Sequence, residues 1–327
     1  MTAPANSFHK NILIASSSLD KGAWEPVAND LAKRSYNVLV YKADEVADGR
    51  IQLSVTMGNT GTVAVSYNDK PLQLDTVAAA WYRRPSMFSS ETGAKRTILD
   101  VEAAGTQANL WALVPQKAWL NSPENIFRAD RKLIQLLVAK EVGFTIPDTV
   151  ISNAWPPIGE LSAKAIVYKT TKGQSARDDK ELAHFTTRFH NKLATLPTGK
   201  NPFPGFWQTY IKKKREWRIT VVGDKSFDAS IYTSNKAKDD WRLHQSDSSR
   251  VRFAAETFQA KEKQKCFEYV KSLGLKFGAF DFIEDEDGNI IFLECNPNGQ
   301  YGWLEDTVGL RIAPAIAAEL AKIADAG

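Results

Sequence analysis

Little in this chain could hold a disulfide framework or a histidine-based metal centre. Its 327 residues include only two cysteines and four histidines. Cys266 and Cys295 stand far apart, with neither a CxxC nor a Cys/His ligand spacing. This excludes a disulfide scaffold and a structural zinc site and points to a reducing compartment. An excess of one charge is lacking too: 42 Lys and Arg face 38 Asp and Glu, a net +4. That surplus is too small for a nucleic-acid surface, although it leaves room for a local basic cleft. No apolar run reaches transmembrane length, and residues 1–10 lack the apolar core of a signal peptide. The expected location is the cytoplasm, with neither a membrane nor a nucleic acid as partner. There are no internal repeats, no low-complexity tract and no Walker A sequence.

What is present is an ordinary globular composition, 43% hydrophobic and 24% charged, long enough for two domains. Strand patterns over 11–15, 37–41, 51–56, 62–67, 72–74 and 77–82 alternate with a polar loop over 16–21 and helical patterns over 24–34 and 96–113. This order predicts an open α/β sheet. Pro115 and Asn121-Ser122-Pro123 interrupt the pattern and place a boundary near residue 118. Beyond it, Leu133, Leu136, Leu137 and Lys140 fall at helical spacing, ahead of Gly143 and Pro147. Strands are expected at 150–152 and 165–169, a polar loop at 171–180, a helix at 182–191 and a Pro/Gly-rich connector at 196–205. Strands at 208–211, 216–222 and 226–232 then form a meander, and helices at 260–273 and 313–324 frame the end. Residues 1–118 form one unit and 119–327 a second, divided into 119–205 and 206–327. The basic run Lys212-Lys213-Lys214-Arg215 is expected to be a solvated hairpin turn.

The richest segment is 280–299. Two apolar runs flank an acidic turn ending in Asp287-Gly288, the pattern of a β-hairpin. Strand alternation puts Phe292, Glu294 and Asn296 on one face, with Ile291, Leu293 and Cys295 on the other. Asp281 on the partner strand lies opposite Glu294, so three oxygen-bearing side chains converge. Such a set suits Mg²⁺, which takes one or two carboxylates together with substrate phosphates. A surface hairpin with acidic decoration is the plainer alternative. An ionised Glu between Leu293 and Cys295 is costly unless a charge meets it.

Gly278-Ala279-Phe280-Asp281, followed by Phe292-Leu293-Glu294-Cys295-Asn296-Pro297-Asn298-Gly299-Gln300, resembles the closing metal motif of ATP-grasp ligases. The resemblance narrows to graspetide enzymes, the microviridin-type peptide ligases that join side chains by ester or amide links. Trp81-Tyr82-Arg83-Arg84-Pro85, Arg218-Ile219-Thr220-Val221-Val222-Gly223 and Asp240-Trp241-Arg242 support it, in order along nearly the whole chain. It implies an ATP-grasp fold preceded by an N-terminal open α/β (pre-ATP-grasp) domain. The implied cofactors are ATP and Mg²⁺, two ions with Mn²⁺ able to substitute. Asp281, Glu294 and Asn296 would hold the metals, Glu294 touching both. Lys132 and Lys169 occupy the positions of the ATP-phosphate lysines, and Gln208, Thr209, Tyr210 and Ile211 match the strand whose backbone reads adenine. Glu216 follows as an acceptor for ribose hydroxyls or a surface residue. Arg218 is the candidate for stabilising an acyl phosphate, and Arg242 a second candidate nearer the incoming carboxylate or nucleophile; either could instead be a structural ion-pair partner. Arg83 and Arg84, strand-end arginines ahead of a proline, could cap a sheet edge; the resemblance instead implies a position at the junction of the two units, where the acceptor end of the substrate would lie. Two departures stand out. The loop 170–176 is poorer in glycine than the usual phosphate lid, and residues 178–205 offer no match for an acidic leader-binding residue.

The reading is therefore an ATP- and Mg²⁺-dependent carboxylate ligase acting through an acyl phosphate, with a ribosomal precursor peptide or another carboxylate as substrate and a homodimer as the family's suggestion. The alternatives are an amino-acid ligase acting on a small acid or protein terminus, and a nucleotide-binding module without turnover.

Overall fold

In the computed structural model the described residues are 10–59, 63–85, 93–155, 161, 165–169, 176–177, 181–182, 187–189, 199–234, 247 and 249–327. The chain opens with Asn11–Ser16 (β1), Lys21–Lys33 (α1), Asn37–Lys42 (β2), Ala43–Ala47 (α2), Leu53–Thr56 (β3), Ala64–Tyr67 (β4), Lys70–Pro71 (β5) and Ala79–Tyr82 (β6). β1 lies between β2 and β6 in a parallel sheet, with Ile12 opposite Val38 and Ala79. An apolar run in the middle strand suits a sheet covered on both faces. Alternate residues of β1 feed two separate cores. Ile12 and Ile14 join Trp24, Val27, Leu31 and Trp81, while Leu13 and Ala15 join Tyr41, Trp111 and Trp119. The expected loop at 16–21 contracts to a 3-10 turn, Ser18–Asp20, because α1 already starts at Lys21. The strand expected at 72–74 does not form; Leu72 and Leu74 are buried in the second core, and the chain turns through Leu74–Thr76.

Gly93–Ala112 (α3), Pro123–Ala129 (α4) and Lys132–Glu141 (α5) follow. Ser122 caps α4 by accepting from Asn125 N at 3.3 Å, with Pro123 in the first turn. The next strands are Thr149–Trp155 (β7), Ile166–Lys169 (β8), Ala176–Arg177 (β9), Glu181–Leu182 (β10), Thr187–Phe189 (β11) and Gly199–Thr209 (β12). They form a four-stranded sheet, order β11-β8-β12-β7, and a β9–β10 pair. The helix expected at 182–191 is not what forms: Thr187, Arg188 and Phe189 pair with Tyr168, Val167 and Ile166. β-branched and aromatic residues fit a pleated surface better than a helix. Residues 199–205 of the expected connector belong to β12, with an irregularity between Lys200 and Gly205.

Lys213–Val222 (β13), Lys225–Thr233 (β14), Val251–Ala255 (β15), Ala260–Ser272 (α6), Phe277–Asp285 (β16) and Ile290–Asn296 (β17) build the largest sheet, order β15-β14-β13-β16-β17. Gly302–Val308 (α7) and Ile312–Ala326 (α8) end the chain. One face of this sheet sends Trp217, Ile219, Phe280, Phe282 and Phe292 into a core shared with Leu136 and Ala139 of α5 and Tyr269 of α6. From the other face Val222, Ala229, Phe277 and Ala279 join α1 and α8 in the core of the N-terminal sheet. The basic run is not a hairpin turn, because Lys213, Lys214 and Arg215 start β13; Lys212 and Lys214 do remain exposed, and each cation meets an acid. Lys212 pairs with Glu286 at 2.8 Å, buried Lys213 with Glu216, Lys214 with Glu284 at 3.2 Å, and Arg215 with Glu284 and Glu256, both at 2.7 Å.

Candidate active site

Three neighbouring strands bring one charged residue each into a row. Arg218 of β13 lies in register with Asp281 of β16, and Asp281 with Glu294 of β17. The strands alternate, so all three leave the face that carries Ala279, not the phenylalanine core. Arg218 Nε sits 3.1 Å from Asp281 Oδ1. Lys132 Nζ, at the start of α5, stands 3.7 Å from Glu294 Oε2. Asn296 lies two residues beyond Glu294, opposite Ala279, and shares their face. Its Oδ1 accepts from Asn298 N at 3.0 Å, which folds the Asn-Pro-Asn turn back on itself.

Alternation alone misplaces Phe292. It is fully buried in the phenylalanine core with Cys295 and does not share a face with Glu294. A register shift between Asp281 and Phe282 inserts one residue into β17, the work of a β-bulge, which re-aims side chains. The bulge lets Phe292 and Cys295 both face inward while Glu294 and Asn296 face the row.

Residues without any motif hold this edge strand. Gln135 of α5, 5% exposed, donates from Nε2 to Cys295 O and to Ala129 O, both at 2.8 Å, and its Oε1 accepts from Cys295 N at 3.1 Å. A side chain thus replaces the missing neighbour strand at the residue between Glu294 and Asn296. Phe292 N finds Thr145 O at 2.8 Å for the same purpose. Asn121 satisfies Phe277 O and Pro297 O with Nδ2, at 2.9 and 3.1 Å, and accepts from Lys276 N and Phe277 N with Oδ1. Asp130, at the end of α4, enters the same field. Burial raises its pKa, and the nearby Glu294 charge raises it further against Lys132 and Arg84. The sequence gives no signal for Gln135 or Asn121 beyond polarity in an apolar stretch.

On the nucleotide side, Lys169 closes β8 opposite Phe206. Gln208 is buried, with Nε2 donating to Thr149 Oγ1 at 3.0 Å. Gln208 pairs with Thr149 and Val167 within the sheet, Thr209 N donates to Asp148 O at 3.0 Å and Tyr210 N to Ala165 O at 2.8 Å. One oxygen of Glu216 takes the Lys213 ammonium. Arg242 and residues 170–175 lie outside the described residues, as does much of 178–205. An open groove of about 640 Å³ runs beside α5, lined by Leu133, Leu136, Leu137, Phe144 and Ile151. It excludes Lys132, Arg218, Asp281 and Glu294.

The row fits a hard divalent cation in its chemistry. Two carboxylates and an amide oxygen form part of a shell whose remaining ligands would be phosphate oxygens and water. Among the described residues no group of three His, Cys, Asp or Glu gathers into a protein-only metal cage. Arg218 is 8% exposed and its Nη1 has no hydrogen-bond partner among the described residues, an arrangement that favours an anion beside the row.

Neither a protein-family model nor a curated protein sequence matches the chain. Solved structures do. A Chryseobacterium gregarium RiPP-associated ATP-grasp ligase, in complex with ADP and a leader and core peptide, is 25% identical, with TM-score 0.78 over 96% of this chain and 97% of that one. The Microcystis aeruginosa macrocyclase MdnC, bound with its precursor peptide, is 24% identical, with TM-score 0.76 over 95% and 99%. The macrocyclase MdnB from the same source is 24% identical, with TM-score 0.73 over 95% and 99%. The chain is thus an α/β protein with the fold of the ATP-grasp ligases. Within it, the structure stands beside the RiPP-associated ligases, as the hairpin motif anticipates. Among the described residues no helix is long and apolar enough to cross a membrane.

Proposed function

We propose that this protein is an ATP- and Mg²⁺-dependent carboxylate ligase that joins side chains of a ribosomal precursor peptide through an acyl phosphate. The observation carrying the reading is the Arg218–Asp281–Glu294 row, with Lys132 3.7 Å from its acidic end. In the first half-reaction an Asp or Glu carboxylate of the peptide takes the γ-phosphoryl group of ATP and ADP leaves. In the second, a Ser or Thr hydroxyl or a Lys amine attacks the acyl carbon. Orthophosphate departs, the nucleophile loses its proton, and the peptide is lighter by one water per link.

The chain's task is positioning and charge neutralisation. Asp281, Glu294 and Asn296 would hold the metal, two ions sharing Glu294, and Mg²⁺ when bound offsets charge on the phosphate oxygens. Lys132 and Lys169 act as point charges on the phosphates. Arg218 meets the transferring phosphoryl group with its unpartnered Nη1. The backbone of residues 208–211 reads the base, and the second oxygen of Glu216 accepts from the ribose.

The test combines the purified protein with ATP, Mg²⁺ and the short peptide encoded beside its gene, following ADP and peptide mass. Glu294→Ala is expected to reduce ADP release by about a hundredfold or more with the fold intact. Unchanged release would sink the metal assignment. ADP release stimulated by free amino acids, with no mass change in the peptide, would move the protein to the amino-acid ligases.

A further inference from the structure

Two consecutive arginines at the end of β6 behave differently. Arg83 is 1% exposed and wholly engaged in the fold. It donates to Asn298 O at 2.9 Å, Gly299 O at 3.1 Å and Gln300 Oε1 at 3.0 Å, and pairs with Asp20 at 2.8 Å. Its guanidinium also lies over the Trp81 and Tyr301 rings, 5.8 and 5.6 Å from their centroids. Among the described residues Arg84 makes one side-chain hydrogen bond, from Nε to Asn298 O at 2.8 Å, and no carboxylate forms an ion pair with it.

Neighbouring side chains of an extended strand point opposite ways. Here both arginines reach the same carbonyl, Asn298 O, because Arg84 adopts φ +48. That left-handed conformation costs a bulky residue free energy, and such strain persists where the surroundings impose it, often at ligand sites. The charge around Arg84 is unbalanced in the same direction. Burial and then the Arg83 charge hold its pKa down to about 10, with Arg218 adding to the effect and Asp20 and Asp130 opposing it. Arg218 approaches the same turn from the sheet: a Cβ at Gly299 would stand 3.6 Å from its unpartnered Nη1. Two guanidinium groups therefore flank residues 298–299, each with donors left over. Arg218 is buried and Arg84 half-buried, and cations so withdrawn from water are costly until an anion meets them.

We propose that Arg84 and the Nη1 edge of Arg218 form a receptor for a small oxyanion, a carboxylate or a phosphate, beside the metal-binding row. Its use in turnover rests on the ligase reading, in which the occupant is the peptide carboxylate awaiting phosphorylation or the acyl phosphate it becomes. Anion binding itself does not depend on that reading. Guanidinium forks match both groups in bidentate geometry.

The test titrates the full chain, labelled with ¹⁵N at arginine, with glutarate and with orthophosphate, reading the arginine Nε resonances and heats of binding. MgADP binding is measured separately. Saturable binding of at least one anion is expected, and Arg84→Gly should weaken it by tenfold or more. Because glycine relieves the φ +48 strain, the thermal midpoint of that variant should be unchanged or raised. A structural role would lower it, as Arg83→Lys should. The proposal fails if the parent protein binds neither anion, if Arg84→Gly binds both as tightly as the parent, or if its midpoint falls together with binding. Arg84-dependent anion binding in a protein that takes up no MgADP would instead overturn the ligase reading and leave the receptor standing.

Discussion

Replacing Gln135 tests whether a buried amide on α5 sets the geometry of the proposed metal-binding face. Gln135→Leu shortens the side chain by one heavy atom, so the cavity left is small, but three hydrogen bonds disappear. Cys295 N–H, Cys295 C=O and Ala129 C=O lose their amide partner in a site that water does not reach. An orphaned buried group costs roughly 1–3 kcal/mol, and a carbonyl keeps part of its bonding elsewhere, so the loss should total about 3 kcal/mol. Urea denaturation reads that loss directly. The functional effect follows from position, since Cys295 separates Glu294 from Asn296. Outer-shell partners of metal ligands are typically worth about ten- to a hundredfold in affinity or activity. ADP release titrated against Mg²⁺ should therefore show weaker metal dependence by about tenfold. Gln135→Glu should be less stable than Gln135→Leu, because it buries an acceptor-only charge against the Cys295 and Ala129 carbonyls. A Leu variant within about 0.5 kcal/mol of the parent, with the same Mg²⁺ profile, would refute the reasoning.

Two further outcomes follow from measured geometry. A Cβ at Gly299 would lie 2.3 Å from Ala279 Cβ, so Gly299→Ala must displace the turn that Arg83 grips; a loss of about 1–3 kcal/mol and a lowered kcat are expected, and an unshifted denaturation midpoint would contradict the packing. Glu284 is buried, which alone would raise its pKa, yet bonds from Arg215, Trp217 and Lys214 outweigh burial and hold it below its ordinary 4.5. A depressed folded pKa gives stability that is complete above 4.5 and lost as pH falls through the folded value, so Glu284→Gln should show a shallower acid decline than the parent in thermal midpoints. Equal slopes would remove Glu284 from the acid response.

The hairpin was legible because its signals are local. A tight acidic turn, apolar flanks and an Asp opposite a Glu are all set within twenty residues by the period of a strand. The same rule failed at Phe292, since a bulge is a change of register and composition does not record it. The basic run 212–215 misled for a related reason: its carboxylates, Glu256, Glu284 and Glu286, come from distant strands and loops. Gln135 and Asn121 were invisible as site residues because each acts through the backbone of an element more than a hundred positions away. Arg83 and Arg84 read as a pair in sequence; only the positive φ separates a rivet from an open cation.

The N-terminal sheet shares its core with the last helix. Ile312, Ile316 and Leu320 of α8 lie with Ile12, Ile14 and Val27, and Lys10 Nζ donates to Ala324 O at 2.9 Å. During synthesis, β1, β2 and β6 leave the ribosome long before the helix that covers them. Their apolar face must wait, shielded by α1 alone or by a chaperone, until α8 emerges. Deletion of α8 should thus injure the N-terminal sheet more than the elements beside α8 in sequence, and folding should be slow because segments 314 positions apart must meet.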